Sequence, residues 1–537
     1  MSLSPAAPEA SSGHAETLPE VLRAAASRYG DRPAIVDGDV TLTFAELLDL
    51  VRDTAEHYAV RCGVGPGARV AVWAPNTWRW PVAALAVSYV GGVLVPLNTR
   101  FTGHEVADVL ARTDARLLVL DSGFLGRSQR AEVDAAAAEA GVTLPPVVEL
   151  GGPDDAGLVR EWPGLEWLVH VDVEGLADRV SPDDVADILF TSGTTGRSKG
   201  ALSSHRQTVG VARIWGELGE VTADDRYLLV NPFFHSFGYK AGMVVCLLTG
   251  ATMVPMAVVE PTAMMRLVET ERITVLPGAP TIYTMLLEAP DRAGHDLSSL
   301  RFAVTGAAVV PVALVERMQR ELGFDLVLTA FGMTECVVAT MCRRGDPAAL
   351  VAGTCGRAVP ALEVRIAAPG TSDELPVGEE GELLLRGDHV MLGYLDDPDA
   401  TAEAIDPDGW LHTGDVGRVD DAGYLRITDR LKDVVITGGF NVYPAEVEQA
   451  LARLDGVVES AVVGVPDARL GEVGRAYVVR REGSALSEAD VTAYARERLA
   501  NFKVPREVVF VDALPRNPSG KILKRVLREG RPHEEES

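Results

Sequence analysis

The apolar run Val185 to Phe190 breaks off into Thr191-Ser192-Gly193-Thr194-Thr195-Gly196-Arg197-Ser198-Lys199-Gly200. A strand-like segment that gives way to hydroxyl and glycine residues, closed by a base, can fold its backbone N–H groups around an anion, and phosphate suits such a loop. The Walker pattern G-x-x-x-x-G-K-[ST] does not match, since Lys199 follows Ser198 and precedes Gly200. A Ser/Gly-rich loop on its own is more often a plain turn than a cradle. Its weight depends on the rest of the chain.

With 537 residues, 47% of them hydrophobic, the chain is too long for one ordinary core, and at least two domains are expected. No run of about 18 uncharged apolar residues occurs. Met1 to Thr17 is rich in Ala, Ser, Pro and Glu, without a basic or an apolar leader segment. These features read as a cytoplasmic protein without integral membrane association, with a disordered tail over residues 1–16. Cys62, Cys246, Cys336, Cys342 and Cys355 are odd in number and form no C-x-x-C, which supports neither a disulfide framework nor a zinc site. Cys336 is expected to be a small core filler.

The net charge of −27 argues against nucleic acid and anionic membrane as partners. From Leu431 onward 16 Lys/Arg stand against 17 Asp/Glu, so nearly all the negative charge lies on the first 430 residues. In that neutral end, Lys503, Arg506, Arg516, Lys521, Lys524 and Arg525 could close over anionic ligands that an acidic body would repel. An ordinary solvated face is the plainer alternative.

Helix and strand signals alternate along the body. Leu18 to Tyr29 has helical spacing, and Thr43-Phe44-Ala45-Glu46 is a capping box opening a helix with the stripe Phe44, Leu47, Leu48, Val51 and Ala55. Strands are expected at Arg69 to Trp73, Val93 to Leu97, Leu117 to Leu120, Ile273 to Leu276, Phe302 to Thr305 and Leu326 to Thr329, with helices after Asn76 and from Gly103 and His205. Gly63-Val64-Gly65-Pro66-Gly67 is a turn and no dinucleotide fingerprint, because it feeds a strand. The pattern implies an α/β fold with largely parallel sheets, over residues 17–430. Residues 431–537, with strands at Val434 to Thr437, Ser460 to Val463, Tyr477 to Arg480 and Val508 to Phe510 and helices at Pro444 to Arg453 and Ser487 to Leu499, read as a small α+β domain.

Several strings carry chemistry. Thr334-Glu335, after Phe331-Gly332-Met333, can offer a hydroxyl to phosphate and a carboxylate to a hard cation. Asp415, following Gly414 at what reads as a tight turn, can accept both hydroxyls of a ribose. Gly438-Gly439 would let another molecule approach the backbone closely. Lys521 follows Pro518-Ser519-Gly520 near the C-terminus.

Taken in order, the loop from Thr191 to Lys199, the aromatic His loop Asn231 to Gly238, Phe331 to Glu335, Gly409 to Asp415, Thr428 to Asp433 and Leu514 to Ile522 resemble the motifs of the adenylate-forming superfamily over essentially the whole chain. The resemblance implies an acyl-CoA ligase using ATP, Mg2+ and coenzyme A on a small carboxylic acid. It implies that Thr191, Ser192, Gly193, Thr194, Thr195, Gly196 and Lys199 cradle phosphate, and that Gly306, Ala307, Ala308, Phe331, Gly332 and Met333 belong to the nucleotide site. Asp415 and Arg430 would hold ribose, Glu335 the metal, and Lys521, His235, Thr334 and Glu335 would serve catalysis. Lys432 would be the hinge on which the small domain turns, bringing Gly438-Gly439 to the pantetheine tunnel. Phe331 stands where the family commonly has Tyr. A homodimer is left open.

Phe234, Phe237, Met333, Val337 and Val338 would line the acyl pocket. The strings Trp73 to Trp78, Asn231 to Gly242 and Gly438 to Ala445 resemble the actinobacterial ligases of sterol breakdown, which activate the bicyclic propionate left after loss of two steroid rings. That implies a polycyclic, steroid- or terpenoid-derived acid. A medium- or long-chain fatty acid, a carrier protein in place of CoA, and an enzyme performing mainly the thioester half-reaction are the competing readings. More distant are an oxygenase of the luciferase kind and a non-catalytic nucleotide sensor.

Overall fold

The computed structural model describes residues 15–151, 171–191, 198–306, 310–437, 440–442, 444–467, 469–499, 501–516 and 522–530. They form two compact units: one of the chain up to Glu363 with Arg386–Gly409, the other of Val364–Leu385 with the chain from Trp410 on. No helix among the described residues is long and apolar enough to cross a membrane.

Helices start where local side chains satisfy their first N–H groups. Leu18–Tyr29, Phe44–Arg61, Gly103–Thr113, His205–Leu218 and Glu488–Arg498 each follow a Thr or Ser that forms a reciprocal capping box with the third helical residue. In the first unit, one sheet runs in the order Gly393–Tyr394, Gly200–Ser204, Val185–Phe190, Val93–Pro96, Arg69–Trp73, Leu117–Asp121, Val147–Leu150. Its last five strands are mutually parallel, and Gly200–Ser204 runs antiparallel to both of its neighbours. Trp73, Val95, Leu97, Val106, Leu110, Leu120 and Ile188 fill the core around it, which fixes the strand that leads into the phosphate loop.

A second sheet of Val40–Thr43, Pro33–Asp37, Thr252–Pro255 and Arg226–Leu229 connects through single bridges at Val275 to a third. The expected strand at Ile273 to Leu276 is thus reduced to one bridged residue. The third sheet, Phe302–Thr305, Leu326–Met333, Cys336–Met341 and Arg357–Ala358, is parallel in its first pair and antiparallel thereafter.

The second unit holds an antiparallel arrangement of Gly381–Gly387, Leu411–Val419 and Leu425–Arg430. It also holds a sheet of Phe440–Val442, Val435–Thr437, Gly471–Arg480 and Val457–Asp467, with Glu507–Val511 parallel to Gly471–Arg480. Helices Pro444–Leu451 and Glu488–Arg498 contribute Val447, Leu451, Val491 and Ala495 to its core.

The C-terminal cations are mostly engaged within this unit. Lys503 pairs with Glu446 at 2.6 Å, Lys524 with Glu448 at 2.9 Å and Arg525 with Glu529 at 3.6 Å, and Arg516 meets Glu459. For these four the plainer alternative of an ordinary charged face fits, since a carboxylate within salt-bridge distance already offsets each of them.

Candidate active site

The loop expected to cradle phosphate joins the two strands of a hairpin. Val185–Phe190 and Gly200–Ser204 pair antiparallel with Phe190 opposite Gly200, a return strand that the sequence did not signal. The N–H of Thr191 donates to Lys199 O at 2.9 Å and its hydroxyl to the same oxygen at 3.3 Å, pinning the two ends of the loop together. Ser192, Gly193, Thr194, Thr195 and Gly196 lie outside the described residues, as do Ala307, Ala308, Gly438, Gly439 and Lys521.

Thr334 and Glu335 form the two-residue turn of a second hairpin, between Leu326–Met333 and Cys336–Met341, with Met333 opposite Cys336. Glu335 is buried and its Oε1 accepts the hydroxyl of Tyr394 at 2.9 Å. Gly332 is required here, because a Cβ would sit 2.4 Å from the Val338 nitrogen. Val338 in turn has φ +56°, a left-handed conformation that a β-branched residue rarely adopts. Cys336 is buried behind the turn, and burial together with the Glu335 charge pushes its thiol up to about 12, in keeping with core filling. Gly306 ends the strand parallel to Leu326–Met333, so Gly306 and the half-buried Phe331 emerge at the carboxyl ends of adjacent parallel strands, where α/β sheets receive ligands.

One short segment joins the two hairpins. Val390 bridges Cys336, and the N–H of Met391 donates to Glu335 O at 2.7 Å. The N–H groups of Leu392 and Leu395 donate to Leu202 O at 2.9 Å and Gly200 O at 2.8 Å. The face of the Tyr394 ring receives the Lys199 ammonium, 4.9 Å from its centroid. Nothing in the sequence singled out Tyr394: one aromatic residue after a glycine, 59 positions from Glu335, has no periodicity or motif of its own.

The His loop is held from a distance too. Asn76 Nδ2 donates to Leu229 O at 2.9 Å and to Asn231 O at 2.8 Å, while its Oδ1 accepts the Phe233 N–H at 2.8 Å. Gly238 closes the turn, since a Cβ there would meet Pro232 O at 2.2 Å. His235 is exposed at its surface, and its Nδ1 accepts the Phe237 N–H at 3.1 Å, which leaves the proton of the neutral ring on Nε2.

Of the expected acyl-pocket residues, Val337 and Val338 are buried, and Phe234, Phe237 and Met333 are partly so. Phe237 packs edge-on to Trp215 with centroids 5.4 Å apart, and Trp80 stacks on Phe233 at 4.9 Å. Beneath them the Lys240 ammonium lies 2.9 Å from Asp187 Oδ1, both side chains almost wholly buried, and Thr208 donates to Asp187 Oδ2 at 2.8 Å. This ion pair ties the strand entering the phosphate loop to the segment after the His loop.

In the second unit Asp415 and Arg430 stand opposite each other on paired strands, with Arg430 Nε 3.0 Å from Asp415 Oδ1. Asp415 does not end a turn, as the sequence suggested. It lies within the Leu411–Val419 strand at an irregularity where Glu382 faces Val416 and Leu384 faces His412, with Gly414 at φ +67°. A bulge of this kind re-aims a side chain without ending the strand. Asp429 accepts the Ala445 N–H at 2.9 Å, and burial raises its pKa to about 6. Lys432 falls in the single turn Leu431–Asp433 that follows.

A family profile described as "AMP-binding enzyme" matches residues 22–395, and one described as "AMP-binding enzyme C-terminal domain" matches 446–521. The chain is 58% identical over 520 residues to a 3-[(3aS,4S,7aS)-7a-methyl-1,5-dioxo-octahydro-1H-inden-4-yl]propanoyl:CoA ligase of Rhodococcus jostii (strain RHA1), covering 96% of this chain and 98% of that one. It is 54% identical to a protein of the same name from Mycobacterium tuberculosis, with 96% and 98% covered. ATP-bound MatB from Rhodopseudomonas palustris superposes with a TM-score of 0.82 at 34% identity, over 96% of this chain and 98% of that one.

Proposed function

This chain belongs to the AMP-binding enzyme family of adenylate-forming proteins and is an acyl-CoA ligase, and we propose that the acid it activates is a rigid bicyclic propanoate of steroid origin. The observation that carries the substrate is the pair of relatives at 58% and 54% identity, end to end, that share one such acid in their names. The aromatic packing of Phe237 on Trp215 supports it, because rings locked against each other reward a fixed shape. A flexible fatty acid would lose more rotational freedom in such a site than a fused ring system does.

ATP and CoA are its other substrates. The acid carboxylate attacks the α-phosphorus of ATP, releasing pyrophosphate and forming an acyl-adenylate; the CoA thiol then attacks the acyl carbonyl and releases AMP. Anion meets anion in the first step, so cations must be placed beforehand. In our reading Lys521 bridges carboxylate and α-phosphate, and the loop Thr191 to Lys199 receives the leaving pyrophosphate. Phe331 stacks on adenine beside Gly306, and Asp415 with Arg430 takes the ribose. Neutral His235 borders the reacting groups as a hydrogen-bond donor through Nε2. Rotation at Lys432 then withdraws Lys521 and presents the strand around Gly438-Gly439 to the pantetheine arm.

Magnesium, when bound, would neutralise phosphate charge. Among the described residues no three His, Cys, Asp or Glu gather into a metal cluster. An ionised Glu335 carboxylate has about four lone-pair sites, only one of which Tyr394 uses in its hydrogen bond, and phosphate and water oxygens complete the shell that magnesium prefers. Glu335 therefore fits the role of a single protein ligand.

The test is a panel of acids and their acyl-adenylates, with pyrophosphate release and CoA-thioester formation scored separately. The bicyclic propanoate should exceed lauric and palmitic acid in kcat/KM. Preference for straight chains would overturn the substrate, and thioester from adenylates without pyrophosphate from acids would restrict the enzyme to the second half-reaction.

A further inference from the structure

Two hairpins that serve one polyphosphate must keep their distance constant, and the Tyr394 side chain touches a residue of each. We propose that Tyr394 is a positioning residue that sets the Glu335 carboxylate and the Lys199 ammonium against the same magnesium-bound polyphosphate. The inference rests on the reading of Glu335 as metal ligand and adds what holds it in place.

The phenol hydroxyl donates to Glu335 Oε1 at 2.9 Å, and the ring face lies under Lys199 Nζ at 4.9 Å. A hydrogen bond to an ionised acceptor is short and directional, so it fixes the plane of the carboxylate. The cation over the ring is steered by the quadrupole without being neutralised, and Lys199 keeps its charge for an anion. A carboxylate in the place of Tyr394 would anchor Lys199 and repel Glu335; the phenol satisfies both.

The main chain at Tyr394 is equally constrained. Tyr394 pairs with Ala201 and Gly393 with Leu202 across the edge of the parallel sheet. The Tyr394 N–H donates to Thr401 Oγ1 at 2.9 Å, and Gln207 Nε2 donates to Val390 O. Among the described residues, the hydrogen bonds of this segment to the two hairpins are made by its backbone except the one from the phenol.

The experiment compares full-length wild type, Tyr394→Phe, Tyr394→Leu and Glu335→Gln by calorimetric titration with a non-hydrolysable ATP analogue over a magnesium series, and with AMP. Tyr394→Phe should weaken the magnesium-loaded analogue roughly threefold to thirtyfold and raise the magnesium concentration for half-maximal binding, as expected when one hydrogen bond to a charged group is lost. AMP binding should stay within about twofold of wild type, since no metal is engaged. Tyr394→Leu should lose a further few-fold, because the ring face is gone as well.

If Tyr394→Phe titrates with magnesium as wild type does, or weakens AMP and the analogue equally, Tyr394 is packing and the proposal fails. Glu335→Gln separates the two claims. A wild-type magnesium dependence in Glu335→Gln overturns the metal role and this inference with it. An altered dependence in Glu335→Gln beside an unaltered one in Tyr394→Phe overturns the inference alone.

Discussion

Around Glu335 the chain is stitched by main-chain hydrogen bonds, from Met391 to Glu335 and from Leu392 and Leu395 to the strand that leaves the phosphate loop. Around His235 and Val338 it is wedged by side chains: Phe237 on Trp215, Trp80 on Phe233, and a valine forced into left-handed backbone. In the proposed mechanism the first region meets phosphate, which is the same in every reaction of this kind, so its residues can be fixed by backbone geometry and recur as motifs. The acid differs from enzyme to enzyme, and a pocket built of packed side chains can change shape without disturbing the strands beneath. The two regions should therefore fail separately when perturbed, except where one contact underlies both.

That contact is Asp187–Lys240, and breaking it gives the largest effect expected. Removing one partner strands a buried charge, which costs about 3–5 kcal/mol. Asp187→Ala or Lys240→Ala should lower the thermal midpoint by roughly 4–7 °C and damage nucleotide binding and acid selectivity together. The double variant Asp187→Leu/Lys240→Met, which strands no charge, should recover most of the stability. Loss of only one of the two functions in the single variants would show that the pair supports one region alone.

Glu335→Gln removes a charge at nearly constant shape. Pyrophosphate release should fall by on the order of tenfold to a thousandfold, the range for losing one preorganised electrostatic stabiliser. The ranking of acids should remain that of the wild type. A changed ranking, measured on the same panel of acids, would mean that the two regions are not separable at Glu335.

Val338→Gly is the converse. Left-handed backbone on a non-glycine residue costs of order 1–3 kcal/mol, so glycine relieves strain while it removes a buried side chain. The preference for the bicyclic acid over a straight chain should shrink by at least roughly tenfold, as expected for losing a three-carbon side chain from an apolar pocket. KM for ATP should hardly move. An unchanged preference with a raised KM for ATP would place Val338 on the nucleotide side.

The sequence was most informative where structure is local. The capping box at Thr43 and the strands Arg69–Trp73 and Phe302–Thr305 lie where spacing and composition put them. What it did not signal is built from pairs far apart in the chain. Gly200–Ser204 and Gly393–Tyr394 are strands because of their partners, with too few apolar residues to show a period of two. Asn76 reaches Asn231 across 155 positions and Tyr394 reaches Glu335 across 59, and neither leaves a local mark. Asp415 was picked out by type, but the bulge that aims it depends on Glu382 and Leu384 on a neighbouring strand.

The smallest effect concerns acid. His389, immediately before the segment that joins the hairpins, is buried, and its Nδ1 has no hydrogen-bond partner among the described residues. Burial lowers its pKa to about 4, with the nearby Asp388 charge opposing the shift. The unfolded chain, with an ordinary histidine near pH 6.5, therefore binds more protons than the folded one between about pH 4 and 6.5, and stability falls as pH drops through that window. At pH 5.5 the loss from this one group is on the order of 1 kcal/mol relative to pH 8. His389→Phe removes the titration while keeping a ring in place, so its urea midpoint should shift less than the wild type's between pH 8 and pH 5.5. His205, also lowered to about 4, is present in both proteins and cancels from the difference. Because His389 adjoins the stitched region, mild acid should weaken binding of the magnesium-loaded ATP analogue before it alters the ranking of acids. An equal pH response in both proteins would show that His389 is hydrated in solution and does not couple acid to the join between the hairpins.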